Sequence, residues 1–104
     1  MNFEEYQKEA QKTAIYDKQY KVTYPILGLC GEAGELANKY KKTLRDGIEL
    51  DKLDMVKELG DVLWYLSQIA TDMELDLDNI ASDNIAKLKS RMERGVIKGS
   101  GDNR

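Results

Sequence analysis

Two short acidic motifs constrain this chain more than any other feature: Glu32-Ala33-Gly34-Glu35 and Glu58-Leu59-Gly60-Asp61. In each, two carboxylates stand three residues apart inside a helical apolar pattern, and residues at i and i+3 lie one above the other on a helix surface. On a helical wheel, Leu29, Ala33, Leu36, Ala37, Tyr40 and Leu44 cover one face, while Glu32, Glu35, Lys39 and Lys42 fall together on another. The next pattern repeats the offset. Met55, Val56, Leu59, Val62, Leu63, Leu66, Ile69 and Ala70 form its stripe, and Asp54, Glu58, Asp61 and Tyr65 lie to one side. Two such helices packed side by side aim four acids at one point. Like charges at that density are stable only when protonated, ion-paired or holding a cation.

The flanking segments are helical as well. Asn2 caps a first helix whose stripe of Phe3, Tyr6, Ala10 and Ala14 runs to about residue 18. Gln7 and Gln11 flank that stripe, either as ordinary polar edge residues or as amides that read a nucleobase edge. Pro25 suits the first turn of the second helix, and Gly47 suits its left-handed C-terminal cap. Gly28, Gly31 and Gly34 are costly within a helix, which points to close helix approach or ligand access. Asp51 caps a third helix reaching about Met73, and Asp76 or Asp78 starts a fourth that buries Ile80, Ala81, Ile85, Leu88 and Met92. Asn84, Lys87 and Arg91 share the polar edge beside that stripe, and Gly95 ends it. The expectation is an all-α fold of four main helices over residues 1–95, its bundle completed by oligomerisation, with residues 96–104 as a flexible tail.

Composition narrows the chemistry. The 104 residues contain no histidine and one cysteine, Cys30. This excludes Ser-His and Cys-His catalysis, His-ligated zinc and an internal disulfide. A formal net charge of −3 argues against a nucleic-acid backbone as partner. No stretch has the apolar length of a membrane span, and a reduced, cytoplasmic setting is expected. What remains is chemistry by carboxylates, lysine, arginine, amides and a hard metal. Mg²⁺ or Mn²⁺ takes a few carboxylate oxygens while keeping waters and ligand phosphates. Lys39, Lys42, Lys87 and Arg91, at the edges beside the acids, then make sense as phosphate clamps. Inter-helix ion pairs with the same cations account for the acids equally well.

The run Gly31-Glu32-Ala33-Gly34-Glu35-Leu36, followed after a spacer by Glu58-Leu59-Gly60-Asp61-Val62-Leu63-Trp64-Tyr65, resembles the MazG-like nucleotide pyrophosphohydrolases of the all-α NTP pyrophosphatase superfamily. The later Asn84-Ile85-Ala86-Lys87-Leu88-Lys89-Ser90-Arg91 resembles the fourth-helix pattern of that family. The resemblance implies hydrolysis of a (d)NTP between the α and β phosphates, giving the nucleoside monophosphate and pyrophosphate. It also implies Mg²⁺ held by Glu32, Glu35, Glu58 and Asp61, with Glu32 and Glu35 in catalytic roles and Glu35 as the proton acceptor. Lys39, Lys42, Tyr65, Asn84, Lys87, Arg91 and Gln7 become substrate-binding candidates. A homodimer or homotetramer is implied, and Trp64, off the main stripe of its helix, agrees with an oligomer face. Two other readings stay open: a helical module that binds nucleotide or metal without turnover, and a phosphoribosyl-ATP pyrophosphohydrolase. Base, sugar and number of metal ions are not encoded in any motif.

Overall fold

The computed structural model describes residues 1–104, and every regular element in it is helical. Helix α1 spans Phe3–Gln11, and a 3₁₀ turn covers Lys18–Tyr20. Three long helices follow: α2 (Thr23–Asp46), α3 (Lys52–Asp72) and α4 (Leu77–Glu93). Local chemistry sets most of their ends. The Glu5 amide donates to Asn2 Oδ1 at 2.8 Å and the Leu53 amide to Asp51 Oδ1 at 2.9 Å, each satisfying a donor that a first helical turn leaves free. Pro25 sits in the first turn of α2, where a missing N–H is tolerated. Gly47 closes α2 in the left-handed conformation (φ 66°, ψ 29°).

Helix α1 is shorter than its apolar stripe suggests, ending at Gln11 rather than near residue 18. The Thr13 hydroxyl donates back to the Ala10 carbonyl at 2.7 Å, a side-chain bond that competes with helix continuation. The chain then turns sharply. Val22 has φ 66° and ψ −54°, and Thr23 N–H donates to the Lys21 carbonyl at 2.7 Å. This is a γ-turn of the strained hand, unusual for a β-branched residue. Asp72 at the end of α3 holds it: its Oδ2 accepts the Val22 N–H at 3.0 Å and the Tyr16 hydroxyl at 2.7 Å.

As α2 advances from Gly28 through Glu32 to Lys39, its partners on α3 retreat from Tyr65 through Asp61 and Glu58 to Asp54. The two helices are therefore antiparallel, as a short connection requires. The glycines of α2 differ in use. A Cβ at Gly28 would overlap the Tyr65 ring, whereas Gly31 and Gly34 face open space. Gly28→Ala is expected to swing Tyr65 away from α2. Overpacking costs about 1–3 kcal/mol, against roughly 1 kcal/mol of helix propensity gained. Thermal unfolding, with Tyr65 proton shifts as a local probe, checks this; unchanged stability and unchanged shifts would contradict the packing.

The apolar faces of these helices are left more open within one chain than the expected core requires. Only eight of 104 residues are buried, and four of them are polar: Glu58, Ser67, Gln68 and Arg91. Leu44 is 68% exposed, Val56 67% and Ile85 50%. The α3 residues turned toward the other helices instead form a seam of Glu58, Asp61, Tyr65, Gln68 and Asp72, at alternating spacings of three and four. The radius of gyration is 16.5 Å, against about 13 Å for a compact domain of this length. Much of the expected stripe of α2 and α4 thus faces outward, whereas on α3 Ala70 is buried and Val62, Leu63 and Ile69 are half-buried.

Residues 96–104, expected to be a flexible tail, are bonded back onto α4. Arg91, 4% exposed, donates to the carbonyls of Gly101 and Asp102 and to the Asp102 carboxylate. Arg104 clasps the carbonyls of Val96, Ile97 and Gly101. Main-chain carbonyls of the tail meet the Nη2 group of a buried guanidinium whose Nε takes no partner, which a composition of glycine, serine and charge does not reveal.

Candidate metal centre

Helices α2 and α3 place Glu32, Glu58 and Asp61 so that one carboxylate oxygen from each lies within 4.8 Å of the others. Two oxygens on opposite sides of a Mg²⁺ ion are about 4.2 Å apart, so small side-chain movements suffice to close such a shell. Charge in the cluster is unevenly held. Burial pushes the Glu32 carboxyl above the usual carboxylate range, aided by its hydrogen bond to Glu58 and the charges of Asp61, Glu58 and Glu35. Glu58 goes the other way. The Lys39 ammonium, 2.8 Å from its Oε1, holds it below the ordinary value. The same pairing raises Lys39, with Asp54 3.9 Å away. Without a cation, Glu32 is thus pushed toward its neutral form and Glu58 held toward its ionised one.

The other oxygen of Glu58, Oε2, is buried and receives no N–H or O–H donor from any ordinarily protonated group. A buried carboxylate oxygen lacking a partner is costly, and a hard cation or the Glu32 proton is what satisfies it. The donor set thus fits a divalent metal: three convergent carboxylates, one oxygen unsatisfied, and no softer ligand nearby.

Of the sequence candidates, Glu35 lies outside this trio. It is exposed one turn along α2, and its charge reaches both Glu32 and Lys39. Lys39 does not stand free; it is the ion-pair partner of Glu58, so the inter-helix pairing weighed against a metal is present at one of the four acids. Lys42 is exposed beside Lys39 on the wall of a cavity that Asp54 also lines. Tyr65 packs on Gly28 with its hydroxyl raised by burial and by the Tyr24, Glu32 and Asp61 charges, so it borders the acids.

Three candidates lie elsewhere within the single chain. Lys87 and Arg91 meet Asp102 instead, holding that carboxyl below its usual range, and Asn84 is exposed on α4. Of the two uses open to Gln7, the single chain shows the structural one. Its Nε2 donates to Thr71 Oγ1 at 3.1 Å and to the Leu75 carbonyl at 2.9 Å, while its Oε1 accepts the Leu77 N–H at 2.8 Å. The amide is used up in pinning α1 to the turn between α3 and α4. Tyr6, on the apolar stripe of α1, has its hydroxyl pushed above the usual range by burial and by the Asp61 charge, which sets α1 near the acids. The seam spacing on α3 was the available signal for Gln68 and Asp72, which continue the line of Glu58, Asp61 and Tyr65.

A family profile described as the MazG nucleotide pyrophosphohydrolase domain matches residues 22–96. The chain belongs to the MazG family. The matched stretch of this MazG chain contains all four acids, Lys39, Lys42, Tyr65, Asn84, Lys87 and Arg91, and it leaves out α1 with Tyr6 and Gln7. The Gene 37 protein of Mycobacterium phage L5 is similar to it, 46% identical over the full length of both chains. No solved structure matches it. None of the helices of the MazG chain is long and apolar enough to cross a membrane.

Proposed function

We propose that this MazG chain is a Mg²⁺-dependent nucleoside triphosphate pyrophosphohydrolase, cleaving a (d)NTP between its α and β phosphates to the (d)NMP and pyrophosphate. The observation that carries the reading is the trio of Glu32, Glu58 and Asp61 with its unsatisfied Glu58 oxygen, in a chain of this family. Those three residues would hold Mg²⁺, with Mn²⁺ the substitute. When bound, the ion supplies positive charge to the phosphates and acidifies water.

The residues of the chain do the rest. Glu35, outside the trio and exposed, takes the proton from the attacking water. As the new P–O bond forms, the anhydride bond between α and β phosphorus breaks and pyrophosphate leaves with its electron pair. Lys42 neutralises charge on the phosphates from α2. Lys39 answers the Glu58 charge, and a cation held by Glu58 would leave its ammonium free to meet phosphate. Tyr65 borders the sugar.

Lys87, Arg91 and Asn84 are not joined to the acids within one chain, and the outward apolar stripes need cover. Both observations support a homodimer or homotetramer in which a neighbouring copy completes the phosphate site. Incubation with a panel of NTPs and dNTPs plus Mg²⁺ is expected to release pyrophosphate and the monophosphate. No turnover of any nucleotide by the folded protein rejects the proposal.

The Lys39–Glu58 ion pair favours one second reading, a helical module that binds without turnover. Calorimetric binding of a triphosphate with no product formed would support it.

A further inference from the structure

The phosphate-binding candidates of α4 already hold an anion. Lys87 Nζ and Arg91 Nη2 each lie 3.3 Å from the same atom, Asp102 Oδ1, so two positive groups converge on a single oxygen. Arg91 also donates to the Asp102 carbonyl at 2.9 Å. Arg94 continues the row, three residues beyond Arg91, and donates to the Arg104 carbonyl at 2.8 Å. Every side-chain hydrogen bond from α4 to residues 99–104 starts at one of these three cations. Gly95 and Gly101, with φ of 72° and 82°, supply turns that return the chain there. The clasp of Arg104 on the carbonyls of Val96, Ile97 and Gly101 ties the tail to itself and involves no α4 residue.

This contact is built to be replaced. The Arg91 side chain is 5% exposed and that of Asp102 85%, so the cation is set into the fold and its partner is not. An ion pair with so exposed a member holds weakly. The remaining acceptors are neutral carbonyls, and a charge-assisted bond to phosphate is about twice as strong as a neutral one. We infer that Asp102 occupies the place of a phosphate oxygen between Lys87 and Arg91, and that the tail is a strap which a polyphosphate lifts on binding. The inference rests on the nucleotide reading above, which puts both cations in the phosphate site.

The test titrates the full chain with inorganic pyrophosphate in the absence of divalent metal, by calorimetry and by amide proton shifts. Asp102→Asn keeps the shape of the strap and removes its charge. It is expected to bind pyrophosphate about fivefold more tightly than wild type, because a ligand no longer loses affinity to a closed, occupied state. Asp102→Glu, which keeps the charge, is expected to stay near the wild-type value. Adding Lys87→Gln to Asp102→Asn is expected to cancel the gain, since one of the two converging cations is then gone. In wild type, pyrophosphate is expected to shift the Gly101 and Asn103 amides as the strap lifts. Unchanged or weaker affinity in Asp102→Asn, no binding to either chain, or binding that leaves those amides unmoved overturns the inference and makes the tail a structural anchor only.

The nucleotide turnover panel separates the two claims. Turnover by wild type, with pyrophosphate affinity indifferent to Asp102→Asn, defeats the strap and keeps the hydrolase. Tighter pyrophosphate binding in Asp102→Asn, with no nucleotide turned over by any form, keeps the strap and defeats the hydrolase.

Discussion

Asp61→Asn is expected to lower kcat by at least about a hundredfold, on the scale of losing a metal-site contact, and to weaken Mg²⁺ binding in parallel. Asp61 is exposed, takes no hydrogen bond, and its charge adds to the repulsion felt by Glu32. The amide is nearly the same shape, so the folded state is expected to be as stable as wild type or slightly more so. Glu35→Gln provides the contrast. Glu35 stands outside the convergent trio, so its amide is expected to stop turnover just as fully while leaving Mg²⁺ affinity near the wild-type value. Steady-state pyrophosphate release, metal titration and thermal melts on both variants give the answer. If both retain near-full turnover, these acids are not the reacting site. If both lose metal affinity equally, Glu35 is a ligand and the proton goes elsewhere.

The second large effect concerns the outward stripes. Judged by the single chain, Leu44 and Ile85 are surface positions, 68% and 50% exposed, and a substitution there would shift stability by no more than about 0.5 kcal/mol. Judged as halves of an interface, they are core. Covering a leucine or isoleucine is worth about 1.5–3 kcal/mol, and forcing a carboxylate into that place costs more. Leu44→Asp and Ile85→Asp are therefore expected each to destabilise by at least about 3 kcal/mol and to shift sedimentation toward a single chain. The wild-type melting temperature is expected to rise with protein concentration, as mass action requires. A concentration-independent melt, with both variants behaving as wild type, refutes the assembly.

The elements written in local rules were legible. Gly47 and Asp51 mark ends through backbone geometry and a single side-chain bond, and the acid pairs follow from helical spacing alone. The misreadings share one cause, a partner distant in sequence. Helix α1 stops at Gln11 where Thr13 bonds back to Ala10 and receives the Trp64 indole N–H at 2.8 Å. Gln7 and Gln68 are the same residue type on helix flanks. Only the turn at Leu75–Leu77 decides that the first is saturated, while nothing in the chain reaches Nε2 of the second. Arg91 looked like a free cation because Asp102, eleven residues on, contributes no periodicity to signal that it returns. The direction of the apolar stripes was also beyond a helical wheel, which separates two faces without saying which one meets the other helices.

The open apolar faces also bear on how such a chain can drift. Exposure in one chain would mark Leu44, Val56 and Ile85 as freely variable and Ser67 and Gln68 as fixed. Where copies assemble, that map of tolerance turns over. The greasy outside becomes the slowly changing part, answerable to its own image on another copy. On the polar seam, Glu58 and Asp61 stay tied to the acid cluster they build, while Gln68, whose Nε2 takes no partner, has room to change without disturbing what holds the helices in place. The acid site and the assembly would then be guarded on opposite sides of the same helix.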